Sequence, residues 1–197
     1  MQKIMFNDKY GLTQAVLDGR KTQTRRIAHA GYIKFPNTCI GLKGNNRNKL
    51  YLKNGKNIVA RSRYKIGEEV AVAQSYGRLG LDRVRVHNGK EILEVTISKG
   101  WENKMYVKAD LMPYHIRITD IRAERLQYIS EEDCLAEGIW KAHNVGLEGV
   151  TYWYTNLVNS PYRTAIEAYA ALIDKISGKG TWASNPYVFV YEFEIIK

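Results

Sequence analysis

The sequence predicts an α+β fold, most simply a small mixed β-barrel with helices at its ends. Roughly six or more segments have strand-like patterns, and about three have helical signals. The 197 residues are 45% hydrophobic, which is enough for one domain with a buried core. We find no internal repeat and no interdomain linker, so residues 1–197 are expected to form a single domain.

The N-terminal segment predicts a strand, a helix, a glycine turn and a basic strand. Residues 3–6 are the first strand, and Asn7 or Asp8 is expected to cap the helix that follows. The helix has one apolar face and ends at Gly19, a typical position for a left-handed residue. Residues 21–27 are then expected to be extended, since threonine favours strands.

The middle of the chain has a mixed pattern. Residues 28–63 are rich in Gly, Asn and Lys, which predicts a long loop or β-hairpin excursion, a probable insertion. Residues 70–76 are expected to be a strand. Residues 84–86 and 92–97 flank the hairpin signal Asn88-Gly89. Strand patterns continue at residues 106–108 and from 115 to 129.

The C-terminal part contains the clearest elements. Ser130 begins a capping-box pattern (SEED), which predicts a short helix reaching about residue 138. Residues 140–159 are aromatic-rich and are expected to be irregular. Pro161 is expected to open a helix that ends at Gly178. Residues 187–196 alternate as the last strand.

The charge balance indicates an anionic partner. The chain has 30 Lys+Arg against 20 Asp+Glu, a net charge of +10 and a pI of about 9.5. Nucleic acid is the commonest polyanion that such a protein binds, although a merely basic soluble protein fits charge alone equally well.

The remaining composition excludes several classes of protein. Cys39 and Cys134 lie far apart without metal-like spacing, so we expect no disulfide, no metal and no cofactor. The N-terminus lacks the apolar core of a signal peptide, and no apolar run is long enough to span a bilayer. We therefore expect a cytoplasmic protein without a membrane partner. The oligomeric state is left open.

One short segment concentrates functional groups. Residues 19–26 (GRKTQTRR) contain two threonines and four basic side chains, Arg20, Lys21, Arg25 and Arg26. They form either a solvated strand end or one wall of a cleft that binds an anion. No phosphate-binding loop, nucleophile elbow or histidine cluster offers a competing site.

Five blocks of sequence carry a family resemblance. Residues 18–26 (DGRKTQTRR) resemble the signature of the ASCH domain family, which has a PUA-like β-pseudobarrel with flanking helices. Residues 64–70 (YKIGEEV) are similar to the family's next turn and strand. The blocks ITDIR (118–122) and LQYISEEDCLAEGI (126–139) resemble its later part. Residues 180–188 (GTWASNPYV) are similar to the ends of phage-associated members.

The resemblance implies RNA association and, in one bacterial type of member, hydrolysis of N4-acetylcytidine by a Lys, a Thr and a Glu. These residues correspond to Lys21, Thr24 and Glu137. Lys21 and Thr24 reach the same site only if Lys21 belongs to the turn, because they lie on opposite faces of an ideal strand.

Three functions follow as expectations. The first is a binding module for RNA or a modified nucleoside, with Arg20, Arg25 and Arg26 as ligand contacts and Tyr76 and Trp182 as stacking candidates. The second is the amidohydrolase. The third is a non-catalytic phage interaction protein, which is favoured by Gln74 at a position where many relatives have an acid.

Overall fold

A computed structural model describes residues 1–28, 39–41, 49–52, 58–79, 84–87, 90–93, 102–143, 150–154 and 161–196. Its strands are β1 (Gln2–Ile4), β2 (Gln23–Ile27), β3 (Cys39–Gly41), β4 (Lys49–Leu52), β5 (Ile58–Arg61), β6 (Glu69–Val72), β7 (Val84–His87), β8 (Lys90–Leu93), β9 (His115–Arg125), β10 (Trp140–His143), β11 (Val150–Trp153) and β12 (Tyr187–Ile196). Its helices are α1 (Leu12–Leu17), α2 (Tyr76–Leu79), α3 (Glu131–Ala136), α4 (Ala165–Ser177) and α5 (Thr181–Ser184). The predicted mixture of strands and helices is confirmed.

A five-stranded sheet organises the fold, with the strand order β1-β6-β9-β12-β2. The β1–β6 pair is parallel and the other three pairs are antiparallel. The longest ladder joins β12 to β9, from Tyr187 opposite Arg125 to Ile196 opposite His115. The sequence-adjacent strands β1 and β2 are therefore the two edges of this sheet.

The two edges approach one another without pairing in the described part of the chain. Arg26 of β2 donates a hydrogen bond to the main-chain oxygen of Met5, just after β1, at 2.5 Å. The hydroxyl of Tyr64 donates to the main-chain oxygen of Lys3 at 2.9 Å. The sheet is thus strongly curved, and the space between its edges becomes the candidate site.

Helix α4 covers one side of the sheet with Ala168, Tyr169, Leu172 and Ile173, all buried. The residues Tyr187–Tyr191 of β12 are all buried, so that part of the strand is covered on both faces. A strand buried on both sides needs apolar residues at consecutive positions, as this one has. No helix among the described residues has the length and apolar character needed to cross a bilayer.

Several local predictions are confirmed. Gly19 adopts a φ of +73° at the end of α1. The Ser130 hydroxyl accepts a hydrogen bond from the Asp133 N–H at 3.1 Å, which caps α3. β7 and β8 pair up to His87 opposite Lys90, which makes residues 88–89 the connection, although these two lie outside the described residues. The last strand has the predicted bounds.

Residues 28–63 include the antiparallel sheet β3-β4-β5, in agreement with the hairpin alternative. The other residues of that segment, apart from Ala28 and 62–63, lie outside the described part. Whether the segment is an insertion stays a prediction.

Two predictions in the C-terminal half were wrong. The described residues of the segment 140–159 include the antiparallel strands β10 and β11, with Trp140 opposite Trp153, instead of an irregular segment; residues 144–149 and 155–159 lie outside the described part. Helix α4 begins after Thr164, whose hydroxyl accepts from the Glu167 N–H at 3.1 Å. Pro161 precedes it, and Tyr162 is held in a β-bridge with Tyr152. A capping hydroxyl and a strand pairing thus outweighed the proline signal.

Three smaller predictions also failed. Helix α1 follows Gly11 and has no side-chain cap, because the Asp8 carboxylate instead accepts a hydrogen bond from the Thr13 hydroxyl. Tyr76 starts α2 rather than ending a strand. The segment around residues 106–108 contains 3-10 turns at Lys104–Tyr106 and Ala109–Leu111.

Candidate active site

The turn between α1 and β2 brings Lys21 to the site. The N–H groups of Arg20 and Lys21 both donate to the main-chain oxygen of Ala15 at 2.9 Å. Lys21 therefore belongs to the turn, and β2 begins two residues later at Gln23. Lys21 and Thr24 consequently line the same cavity, which was the condition for them to act together.

Lys21 and Glu137 form a buried ion pair. Their side chains are only 2% and 5% exposed, and the Lys21 Nζ lies 2.6 Å from the Glu137 Oε2. The same Nζ donates to the main-chain oxygen of Glu137 at 2.7 Å. The Thr22 N–H donates to the main-chain oxygen of Ala136 at 2.9 Å, so the two segments are joined by their backbones as well.

Arg25 binds the second carboxylate oxygen of Glu137, Oε1. Its Nη1 donates to the Glu137 Oε1 at 3.4 Å, and its Nη2 contacts the Asp133 Oδ2 at 2.6 Å and the Glu124 Oε1 at 2.8 Å. Three carboxylates thus share one fully buried guanidinium. Arg122 extends this network by contacting Asp133, Glu124 and Glu192.

The carboxylates around Arg25 explain why its pKa is raised. Burial alone would lower the pKa of Arg25, but the charges of Glu137 and Glu124 outweigh it and raise that pKa. Arg25 is therefore a permanent cation that orients the Glu137 carboxylate, because a guanidinium holds carboxylates in fixed directions.

The pKa of Lys21, in contrast, is lowered. Burial is the largest cause of this shift, while Glu137 opposes it through its charge and a hydrogen bond. The positive charges of Arg26 and Arg25 lower it further. A lysine whose pKa is lowered in this way becomes available as a base, since its neutral amine is more populated than in water.

The cavity beside these groups has a volume of about 580 Å³. Its polar lining includes Lys21, Thr24, Arg25, Arg26 and Glu137, and the basic residues Lys3, Arg61 and Arg63 line it as well. Much of the apolar lining comes from α4 and β12: Tyr169, Leu172, Ile173, Ile176, Val188, Phe189 and Tyr191. A small number of convergent polar groups in an apolar cavity is typical of a small-molecule site.

Thr24 contributes an available hydroxyl. Its side chain is 4% exposed and lines the cavity, and the hydroxyl makes no hydrogen bond with another described residue. The backbone of Thr24 is fixed opposite Tyr191 in the β2–β12 ladder. The backbone position is therefore fixed, and no described residue competes with a ligand for the hydroxyl.

The other predicted contacts are spread over the molecule. Arg26 lines the cavity and lies over the Phe6 ring at 5.6 Å. Arg20 instead lies 3.7 Å from the Trp140 ring centre and 3.8 Å from Asp18. Tyr76 packs on the small cluster formed by Ala71, Val107 and Met112, and Trp182 packs on the main core. Arg20, Tyr76 and Trp182 are not among the described residues of the cavity wall.

Sequence reasoning missed Tyr169 and the acids around Arg25. Tyr169 packs in the core from α4, but it also lines the cavity. The available signal was a hydroxyl-bearing side chain on the apolar face of that helix. Asp133 was visible only as part of a capping pattern, and Glu124 had no signal at all.

No cluster of three or more His, Cys, Asp and Glu side chains in the described residues is arranged to hold a metal ion. Cys134 is buried in α3, and burial raises the pKa of its thiol to about 12, so it is no nucleophile. The chain matches no protein-family model, no curated protein and no solved structure.

Proposed function

We propose that this chain is an ASCH-type domain with a PUA-like pseudobarrel that hydrolyses the amide of an acylated cytidine such as N4-acetylcytidine. One observation carries the proposal: the buried Lys21–Glu137 pair faces a cavity of about 580 Å³ beside the Thr24 hydroxyl. The strongly curved sheet, whose edges meet through Arg26 and Met5, supports the pseudobarrel.

The three side chains supply what amide hydrolysis needs. An oxygen nucleophile, either the Thr24 hydroxyl or a water molecule that it orients, adds to the acyl carbon and gives its proton to neutral Lys21. The C–N bond then breaks, and Lys21 returns the proton to the departing nitrogen. When Thr24 is the nucleophile, water hydrolyses the resulting acyl ester. The products are a carboxylic acid and cytidine, and Glu137 positions the lysine throughout.

The cavity favours a nucleoside over a polymer. Cavities of about 300–1,000 Å³ hold small molecules, and this one lies within that range. The basic segment is also less available to phosphates than its composition suggests. Lys21 is paired with Glu137, and Arg25 with three acids. Hydrolysis of a modified nucleoside therefore has more structural support than binding of RNA through this segment.

The test is release of cytidine from N4-acetylcytidine, followed by chromatography. We expect turnover by the native chain and a loss of at least about 100-fold in Thr24→Val and in Glu137→Gln, since each removes a group of the reacting centre. Lys108→Met, which changes an exposed lysine, serves as the control and should retain activity. Full activity in Glu137→Gln excludes this mechanism. An acetyl group mapped to Thr24 by peptide mass spectrometry, and absent in Thr24→Val, would identify Thr24 as the nucleophile.

RNA binding is the second candidate, and the observation that favours it is the net charge of +10. The partner would then be an RNA that presents the modified base, with phosphate contacts from exposed basic side chains, among them Arg61 and Arg63 at the cavity.

A further inference from the structure

The hydroxyl of Tyr169 is a buried polar group without a partner. Tyr169 is 1% exposed, and its Oη makes no hydrogen bond among the described residues. Buried hydroxyls are nearly always hydrogen-bonded, because leaving one unpaired costs free energy. An exception in a cavity wall indicates that a ligand supplies the missing acceptor.

The ring of Tyr169 is held firmly. It lies in the middle of α4 and packs edge-on against Trp182, with 6.3 Å between the ring centres. The adjoining residues Ala168, Leu172 and Ile173 are buried in the main core. The ring is therefore fixed before a ligand binds. The hydroxyl oxygen itself is almost fully covered, so the neighbouring side chains have to shift slightly for a ligand to reach it.

The Tyr169 hydroxyl also interacts electrostatically with Glu137, a residue of the proposed reacting centre. Burial raises the pKa of Tyr169 well above its ordinary value, and the negative charge of Glu137 adds to that shift. Arg25 and Arg26 oppose it without reversing it. Tyr169 therefore stays protonated near neutral pH and can donate a hydrogen bond to an incoming oxygen.

From this geometry we infer that Tyr169 is a catalytic residue that donates a hydrogen bond to the acyl oxygen of the bound amide. The inference rests on the proposed function for the identity of that amide. When the nucleophile adds, the acyl oxygen gains negative charge, and the Tyr169 O–H stabilises it without transferring a proton. A donor fixed before the reaction is the usual way to lower such a barrier.

A first experiment compares Tyr169→Phe with the native chain. The change removes only the oxygen, so we expect kcat to fall by about 100- to 1,000-fold with little change in KM. The melting temperature should stay the same or rise, because the lost hydroxyl had no partner. A kcat equal to that of the native chain would overturn the inference.

Tyr191→Phe is the matched control. This tyrosine also lines the cavity, but its hydroxyl already accepts a hydrogen bond from the Arg63 N–H at 2.9 Å. We expect its loss to lower the melting temperature and to reduce kcat far less than Tyr169→Phe does. An equal loss of kcat in both variants would show that any change in the cavity wall is harmful, and the inference would fail.

A second measurement separates this inference from the proposed function. In Glu137→Gln, which does not consume the ligand, the rise in melting temperature is compared for N4-acetylcytidine and cytidine. We expect a preference for the acetylated nucleoside that disappears when Tyr169→Phe is added. If the native chain does not hydrolyse N4-acetylcytidine but this preference exists and depends on Tyr169, the hydrolase proposal fails and Tyr169 as the acyl-oxygen donor stands. A preference that survives Tyr169→Phe, or no preference at all, overturns the inference that Tyr169 donates a hydrogen bond to the acyl oxygen.

Discussion

At the scale of single residues, the proposed hydrolysis depends most on Lys21. A buried ion pair is a poor source of stability, because removing two charges from water costs about as much as their attraction returns. Lys21 and Glu137 nevertheless face a cavity together, and their environment lowers the pKa of the lysine. We therefore attribute the pair to chemistry rather than to folding.

The sign of the Lys21 shift predicts a pH dependence. If neutral Lys21 is the base, kcat/KM rises with pH through the lowered pKa of that amine and then levels off. Arg26 is one of the charges that lower this pKa. Arg26→Gln keeps a donor for the Met5 oxygen but removes the positive charge, so protonated Lys21 becomes easier to form.

We therefore expect the acidic limb of the profile to move to higher pH in Arg26→Gln, and steady-state rates from acid to alkaline pH measure this. An acidic limb that stays in place, or that moves to lower pH, would contradict the role of Lys21 as the base.

At the scale of elements, two backbone turns assemble the site. One joins α1 to β2 and places Lys21; the other ends α3 and places Glu137. Gly138 follows Glu137 with a φ of +100°, and a Cβ built there would lie 3.6 Å from the Lys21 Cβ. The space is sufficient, but the conformation is unfavourable for any residue with a side chain.

Gly138→Ala tests this turn. We expect a loss of about 1–3 kcal/mol in the free energy of unfolding, because alanine is strained at this φ. Urea denaturation followed by circular dichroism measures it. Unchanged stability would mean that the turn relaxes easily and does not hold Glu137 in place.

The sequence predicted a helix end or a strand correctly where residues close together in the chain determine it. The Ser130 cap, Gly19 and the alternation of the last strand were sufficient because each acts within a few residues. The predicted start of α4 was wrong because Tyr162 pairs with Tyr152 of the preceding strand, and a cap at Thr164 begins the helix instead. The Arg25 network was invisible because Glu124 lies 99 positions away from Arg25.

At the scale of the whole molecule, the curved sheet places residues from both ends of the chain around one cavity. Alternation predicted the last strand but not the strand order, in which β12 lies between β9 and β2. The α+β class followed from counting elements, while the meeting of Lys21 with Glu137, 116 positions apart, was expected only from the family resemblance.

The net charge of +10 belongs to this scale and predicts a salt effect. If RNA binds, neutralising about six phosphates makes its affinity fall by about 10³-fold between about 50 and 200 mM salt. Arg20→Gln, at a partly exposed position, should reduce the salt slope by about one, whereas Lys21→Met, at a buried one, should leave the slope unchanged. Fluorescence anisotropy measures both; salt-independent binding would exclude an RNA partner held by charge.

The central claim is that the buried Lys21–Glu137 pair drives amide hydrolysis in the cavity. The most direct measurement compares the native chain with the double variant Lys21→Met, Glu137→Gln. This variant removes both charges of the pair, so neither charge is left buried without its partner. Release of acetate and cytidine from N4-acetylcytidine is followed for each protein, with the melting temperature as the check on folding. We predict equal amounts of the two products from the native chain and none above background from a folded double variant. Equal rates from the two proteins, or no turnover by the native chain, would contradict the account.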